Sequence, residues 1–550
     1  MATIRAAQRY GAIIIGGGHN GLVAANYLAK AGIKVLLLER RNIIGGCAVT
    51  EEIIPGFKFS RASYVYSLFR PQIISDLNLH KHGLELLPRV PSSFTPTPQK
   101  NGNYLLLGAG EEADIAEIAK FSQKDAEAYP KYNVLMEKYS AAIRPLLDRA
   151  PPDLGLFFTK NSSFKKRKDN FSDLIAFAWH LTKLGKDLPG FIELVTGPAN
   201  KFLDRWFESP ILKATLGTDA IIGAMLSPSS PYSAYVLLHH VMCGVWCNVK
   251  GGMGGISQAL EKAAYENGVE IRTEAPVRKI LTDNTNQPVA YGVELENGEK
   301  LFSNVILSNA APFITFSKLL DTETKKKLPN DFMAAISTIN HTSSSCKINV
   351  AIDKLPNFLC APHTDEIKGG PHHRGTIHFE TSPSQIEDAY QDGVTGIPSR
   401  RPVIELTLPS VVDPTIAPKG KHVALMFVQY VPYALKNNQP WTQVLKEEFA
   451  DRVFSVIEEY APGFKKSIIG KPDILTPVDL EEIYAIPGGN IFHGSMSLDQ
   501  LFFSRPVPGW ARYETPVGNL FNCGAGAHPG GGVMGAVGRN CAQMVLKQIK

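Results

Sequence analysis

Ala12-Ile13-Ile14-Ile15-Gly16-Gly17-Gly18-His19-Asn20-Gly21-Leu22-Val23 is the stretch whose reading decides the fold. Its first four residues form a short aliphatic run, as expected of a strand buried on both faces of a parallel sheet. Gly16-x-Gly18-x-x-Gly21 follows without a spacer. Leu22, Val23, Ala25, Leu28 and Ala29 then recur at helical spacing until Gly32. Val35-Leu36-Leu37-Leu38 reads as a second buried strand and ends at Glu39. Strand, glycine turn, helix, strand and acid together make the pattern of a dinucleotide-binding half-sheet. Gly16 permits the tight turn, Gly18 lets a pyrophosphate approach the backbone, and Gly21 brings helix and strand close. The helix N-terminus supplies N–H donors and partial positive charge. Glu39, 18 residues beyond Gly21, is placed to accept a hydrogen bond from an adenosine ribose hydroxyl. His19 and Asn20, inside the turn, and Arg40, next to the acid, complete the candidate contacts at this end.

Composition excludes several classes around this nucleus. The chain has 550 residues, 44% hydrophobic and 20% charged, which is a globular composition with ample core. Its 57 Lys+Arg against 52 Asp+Glu leave a net charge of +5, too thin for a nucleic-acid partner. The longest apolar candidates, Val423–Val428 and Tyr235–Trp246, fall short of the ~18 uninterrupted apolar residues of a membrane helix. Seven cysteines at 47, 243, 247, 346, 360, 523 and 541 form no C-x-x-C pair. That argues for a reducing compartment and against a disulfide framework. Cys243 and Cys247, four apart, read as core residues on one helix face. No H-E-x-x-H motif or Cys/His cluster suggests a metal, and His372-His373 reads as a solvent-facing pair in a Gly/Pro-rich loop. The N-terminal MATIRAAQRY is too short before the first strand for a cleavable leader, so the compartment read from the residues is cytoplasmic.

Further along, Lys165-Lys166-Arg167-Lys168 reads as a solvated run, and residues 110–245 as mostly helical with proline breaks. Gly251-Gly252-Met253-Gly254-Gly255 opens a helix from Ile256 to Asn267. Strands are expected at Val269–Arg272 and around Val277. A hairpin follows, Val289–Leu295 to Leu301–Leu307, with Asn297-Gly298 as a type I′ turn signal. Residues 340–430 alternate more like strands. Near the end, Asn519–Cys523 is a strand, Gly524-Ala525-Gly526 a turn, and the residues after Gly535 a helix.

Two further motifs narrow the cofactor. Arg40 to Ile44 lead into the glycine pair Gly45-Gly46, which a plain NAD-binding unit lacks. The whole run resembles the FAD-binding fingerprint of glutathione-reductase-like and amine-oxidase-like flavoproteins. A thiol reductase is not supported. Cys47 stands where those enzymes place a redox cysteine, but Glu52 occupies the partner position. Gly252-Met253-Gly254 also reaches Ser257 where a second GxGxxG needs glycine. The segment Cys523 to Val537, containing Gly524, Ala525, His528-Pro529-Gly530, Gly532, Val533 and Met534, resembles the C-terminal flavin motif of the phytoene desaturase family. Val305–Ala310 and the Gly251–Val277 region resemble that family's middle elements, with Val277 at the adenine.

The resemblance implies an α/β fold: a Rossmann-type FAD-binding domain of the glutathione-reductase/amine-oxidase type, with an inserted α+β substrate domain. The expected FAD part is discontinuous, from residues 1–75, 245–315 and 490–550, with 76–244 and 316–489 forming the substrate part. It implies an oxidoreductase that moves hydride from an apolar small-molecule substrate to the flavin, with O2 or a quinone reoxidising it. An amine-oxidase-type enzyme on a small polar substrate and a flavin-bearing partner-binding or regulatory protein are the alternatives. His528 is the catalytic candidate, by its place in the motif. Tyr64, Tyr66, His239, His240 and His493 are pocket candidates. Peripheral membrane contact is an expectation resting on Phe157-Phe158 beside the Lys165–Lys168 run. For a eukaryotic member the resemblance implies the mitochondrial matrix.

Overall fold

In the computed structural model, which describes residues 9–153, 155, 164–242, 244, 246–283, 285–363, 365 and 368–549, Ala12–Ile15 are buried at the centre of a parallel sheet. The strand Arg9–Ile15 pairs in parallel with Val35–Leu38 on one side and Lys300–Ser308 on the other, Ala12 facing Val35 and Val305. Glu270–Arg272 extends the sheet beyond Val35–Leu38. Leu520–Asn522 adds in parallel to Lys300–Ser308, and the antiparallel strands Val277–Thr282 and Ala290–Leu295 complete it. Alternate side chains enter two different cores, which is why the run is aliphatic throughout. Ala12, Ile14, Leu37 and Leu307 meet the helices His19–Lys30, Gly254–Glu266 and Ala536–Ile549. Ile13, Ile15, Leu36 and Ile306 meet Phe316, Phe332 and Ile336 on the other face. The fold is α/β with helices on both sides of this sheet.

A second seven-stranded sheet runs Ile468–Leu475, Ser345–Ile352, His422–Gln429, Val403–Thr407, Thr376–His378, Ser93–Thr95 and Leu105–Leu107. One face carries Ile348, Val350, Ile404, Leu406, Met426 and Val428 against the helix Gln443–Tyr460. The opposite face carries Ser345, Lys347, Asn349, Glu405, Thr407, Phe427 and Gln429, and these too are buried. Such alternation normally marks a sheet with one wet side; here the polar side is covered by the rest of the chain. The described residues between 111 and 241 are mostly helical, around a third core that includes Tyr132, Ile143, Leu203, Tyr235 and Leu237.

Four local expectations are corrected. Pro189, Pro198 and Pro210 stand at helix starts, but Pro130 and Pro145 lie inside the helix Gln123–Leu147 and do not break it. In the Ala290–Ser308 hairpin only Gly298 has positive φ (86°), and Asn297 does not, so the turn is not type I′. Cys247 lies in the strand Cys247–Val249, not on a helix, and Cys243 lies outside the described residues. His372 and His373 are buried, packed on Phe358, and do not face solvent. Phe157, Phe158 and the side chains of Lys165 and Lys166 lie outside the described residues. Among the described residues no helix is long and apolar enough to cross a membrane.

Candidate functional site

The helix His19–Lys30 begins with no side-chain cap and no acid in its first turn. Its first N–H groups therefore keep their partial positive charge unopposed. Gly18 precedes them; a Cβ there would lie 2.9 Å from Asn309 Nδ2, which itself donates to the Gly16 carbonyl at 3.2 Å. Gly45 N donates to Gly17 O at 2.8 Å, and a Cβ on Gly46 would stand 3.1 Å from Gly18 Cα. The second glycine pair is thus laid directly on the first turn. Gly21 is tighter still, because a Cβ would meet Gly16 O at 2.2 Å. Glu39 Oε2 accepts from Gly17 N at 2.8 Å and Oε1 from Arg41 N at 2.9 Å. Each oxygen has a further lone pair, so the carboxylate can still accept from a ligand.

These residues open onto one cavity of about 360 Å³. Gly16, Gly18, His19, Asn20, Glu39, Arg40, Gly46, Val277, Ala525, Gly532 and Val533 all line it. Gly21, Gly45, Gly524 and Met534 stand behind the lining. Gly524 is pressed against Asn309, and Met534 O accepts from Arg70 N at 3.0 Å while its side chain packs with Leu68 and Ala536. The Arg40 guanidinium donates to the carbonyls of Glu482, at 2.7 Å, and Ile483. Tyr64, Tyr66, His240 and His493 also line the cavity; His239 does not.

The structure places His528, the catalytic candidate, away from the cavity. His528 does not line the cavity; it borders a separate small void beside Leu146 and Phe502. Its Nε2 is 3.0 Å from Leu146 O, and its own carbonyl accepts from Tyr513 OH at 3.0 Å. Burial lowers it to about 4, so it is a neutral ring that fixes the C-terminal turn. The Gly251–Gly255 segment turns three of its N–H groups toward side chains of other elements. Gly251 N donates to Asp413 Oδ2 at 2.6 Å, Met253 N to Ser60 Oγ at 3.0 Å and Gly254 N to Thr50 Oγ1 at 2.9 Å. Of these five residues only Met253 lines the cavity. Cys47 does line it, as a free thiol pushed by burial up to about 12.

Two buried cations at or beside the cavity escaped the sequence reading. Lys347 projects from the polar face of the second sheet into the cavity, 5.7 Å from the centre of the Tyr64 ring. Burial lowers its amine to about 7. The Tyr64 ring stacks on Phe427 at 5.6 Å and its hydroxyl donates to buried Glu405. Arg505, fully buried, donates to the carbonyls of Phe492, Gly494, Ser495, Gln500 and Ala525. It ties the cavity-lining turn at Phe492–His493 to Ala525. Polar residues alternating with Cys346, Ile348 and Val350 were the only sequence signal for Lys347.

Residues 21–546 match the family described as flavin containing amine oxidoreductase. The chain belongs to that family. It is 49% identical over 98% of its length to the rat pyridine nucleotide-disulfide oxidoreductase domain-containing protein 2, covering 94% of that protein. It is 27% identical to carrot chloroplastic prolycopene isomerase, over 98% of this chain and 81% of that one. Among solved structures, putrescine oxidase bound to putrescine superimposes with a TM-score of 0.59 at 15% identity, over 98% of this chain and 99% of that one, a likeness of fold.

The flavoprotein's cofactor is FAD, and the residues present fit it. An uncapped helix end faces a glycine cradle that side chains would fill, with an acid at one side. His19 Nε2 is buried without a hydrogen-bond partner at the other side, and burial keeps that ring neutral, near 4. Glu39 and the first turn would hold the adenosine and pyrophosphate, and Ala525, Gly532 and Val533 the flavin. When bound, FAD supplies a two-electron hydride acceptor. The chain's own part is to exclude water, orient the substrate and place Arg505 as a buried positive charge near Ala525.

Proposed function

We propose that this FAD-dependent oxidoreductase removes hydride from an apolar substrate, with O2 or a quinone as the final acceptor. One observation carries the reading. Away from the glycine turn Ile222, Trp246, Phe427, Leu480, Ile491 and Phe492 line the cavity beside Tyr64, Tyr66, His240 and Lys347, and the described residues put no carboxylate there. The two lining carboxylates, Glu39 and Glu296, sit by Ala275–Val277 at the expected adenosine side. An amine held as its cation needs an acid or an open aromatic cage, whereas an apolar molecule gains from desolvated hydrocarbon walls. The carotenoid-related relative supports the same direction. The test is anaerobic mixing of the purified flavoprotein with polyenes, retinoids, acyl compounds and amines while flavin absorbance is followed. Bleaching by apolar compounds but not amines is expected, followed by recovery with O2 or a quinone. Bleaching by amines alone refutes the reading.

A further inference from the structure

Arg505 is a buried cation that no acid among the described residues pairs with. The carboxylate whose charge reaches it, that of Asp499, is exposed and accepts from Ser497 Oγ instead. The guanidinium is spent on carbonyl oxygens. Nε and Nη2 fork onto Ala525 O at 3.3 and 3.0 Å, and Nη2 also donates to Phe492 O. Ala525 and Phe492 both line the cavity, whereas Arg505 does not. Two wall dipoles therefore turn their negative ends back onto Arg505, and the cation stands one peptide group behind the wall. The rings around it are neutral. His239, His341, His493 and His528 are held so by burial, with the Arg505 charge adding to it, at about 3 for His239 and His493 and about 4 for His528. Tyr235, also in reach of that charge, is pushed above its usual range by burial. Nothing nearby cancels the positive field. A buried cation without a counterion is costly, and a negative charge that appears beside it is strongly favoured in the low dielectric of the interior.

A hydride carries two electrons and one proton, so its arrival at the cofactor leaves one negative charge in the cavity. We propose that Arg505 tunes the flavin: its uncompensated charge, held behind the wall at Ala525, stabilises that negative charge and raises the reduction potential of bound FAD. The inference rests on the placement of the flavin beside Ala525 and not on the choice of substrate. Arg505 acts by its field, through the wall it holds, without touching the cofactor. A clamp that only fixed the wall would need the hydrogen bonds and not the charge, and the two roles separate in variants that keep one or the other.

The test is a reductive titration of the flavoprotein, as purified with its FAD, against reference dyes at several pH values, for wild type, R505K and R505Q. At a fixed potential the ratio of oxidised to reduced flavin should rise at least about tenfold in R505Q, a fall of about 30 mV for a two-electron couple. R505K keeps the charge but has fewer donors, and should stay within about threefold of wild type. Lys347, which also lines the cavity, is unchanged in both variants, so the difference between them reads position 505 alone. The slope of potential against pH counts protons. In slightly acidic buffer the wild type should take up one proton with its two electrons, and R505Q nearer two, because losing a positive charge disfavours the anionic form. Equal potentials for wild type and R505Q overturn the proposal. So does an R505K potential as low as that of R505Q, since the shape of the wall and not the charge would then set it. Should R505Q lose its flavin, R505K and the wild type decide alone: a tenfold shift in R505K, or two protons taken up by the wild type, overturns the proposal. Either failure leaves the apolar-substrate reading standing, because no substrate enters the measurement.

Discussion

Replacing Arg505 by methionine should loosen the flavin side of the cavity far more than one surface-remote substitution ordinarily does. The side chain is fully buried and makes six hydrogen bonds to five backbone carbonyls besides. The bonds are Nη2 to Phe492, Gly494 (3.2 Å) and Ala525 (3.0 Å), Nη1 to Ser495 (3.1 Å) and Gln500 (3.3 Å), and Nε to Ala525 (3.3 Å). Burial lowers the guanidinium only to about 10, so it is charged at neutral pH. Methionine keeps much of the apolar stem and removes every donor. At about 1 kcal/mol for each orphaned carbonyl the loss is about 5 kcal/mol, less the relief of no longer burying a cation. A net loss of about 3–5 kcal/mol is a large share of the ~5–15 kcal/mol that holds a domain together. Guanidinium chloride unfolding, followed by flavin fluorescence and far-ultraviolet circular dichroism, reads the shift. Flavin release should move to lower denaturant ahead of the loss of secondary structure. Arg505→Lys should fall between, because an ammonium has three donors for five carbonyls. An R505M protein within about 1 kcal/mol of wild type, with flavin fully retained, would refute the reasoning.

Gly18→Val should abolish flavin retention while leaving the circular dichroism spectrum near wild type. Gly18 has an ordinary φ of −68°, so valine suits the backbone, but its Cβ would crowd Asn309 and its methyls would enter the phosphate cradle; wild-type flavin content contradicts this. Glu405→Gln tests the buried carboxyl behind Tyr64, which burial raises to about 7 against Tyr64 and Arg89, with Asp219 and His378 also near it. The folded state then holds the proton more tightly than the unfolded one. Wild-type stability therefore falls as pH rises from the ordinary value of 4.5 to about 7, and the penalty, at most about 3 kcal/mol, is complete above that. The gain in Tm of E405Q over wild type should grow across this interval, and a pH-independent difference would sink the assignment.

What could be read in the sequence was what depends on neighbours in the chain. Ala12–Ile15, the glycines at 16–21 and Glu39 follow one another within a single strand–helix–strand unit, so spacing alone orders them. What failed depends on contacts from distant positions. His528 sits in a glycine-rich turn that suggests a flavin neighbour, yet its ring is aimed by Leu146, far back in the chain. Ser345, Lys347 and Asn349 alternate with apolar residues as on a solvent-facing strand, and only the covering chain shows that this face borders a cavity. Arg505, between Ser504 and Pro506, has no local signal, because all its partners are backbone carbonyls. At residues 251–255 the missing third glycine at Ser257 already argues against a second phosphate turn, but that Asp413, Ser60 and Thr50 accept from Gly251, Met253 and Gly254 could be seen only in the structure.

The sheet that carries the glycine turn takes its strands from both ends of the chain: Val35–Leu38 early and Leu520–Asn522 late, with Ala525 and Gly532 later still. At the ~5–20 residues per second of ribosomal synthesis, the early turn waits roughly half a minute or more for its counterpart. During that interval the FAD site lacks Ala525, Gly532 and Val533. FAD can stabilise the protein by mass action once these are made. Until then Leu36, Leu37 and Ile14, all fully buried in the finished sheet, lie in a half-built one.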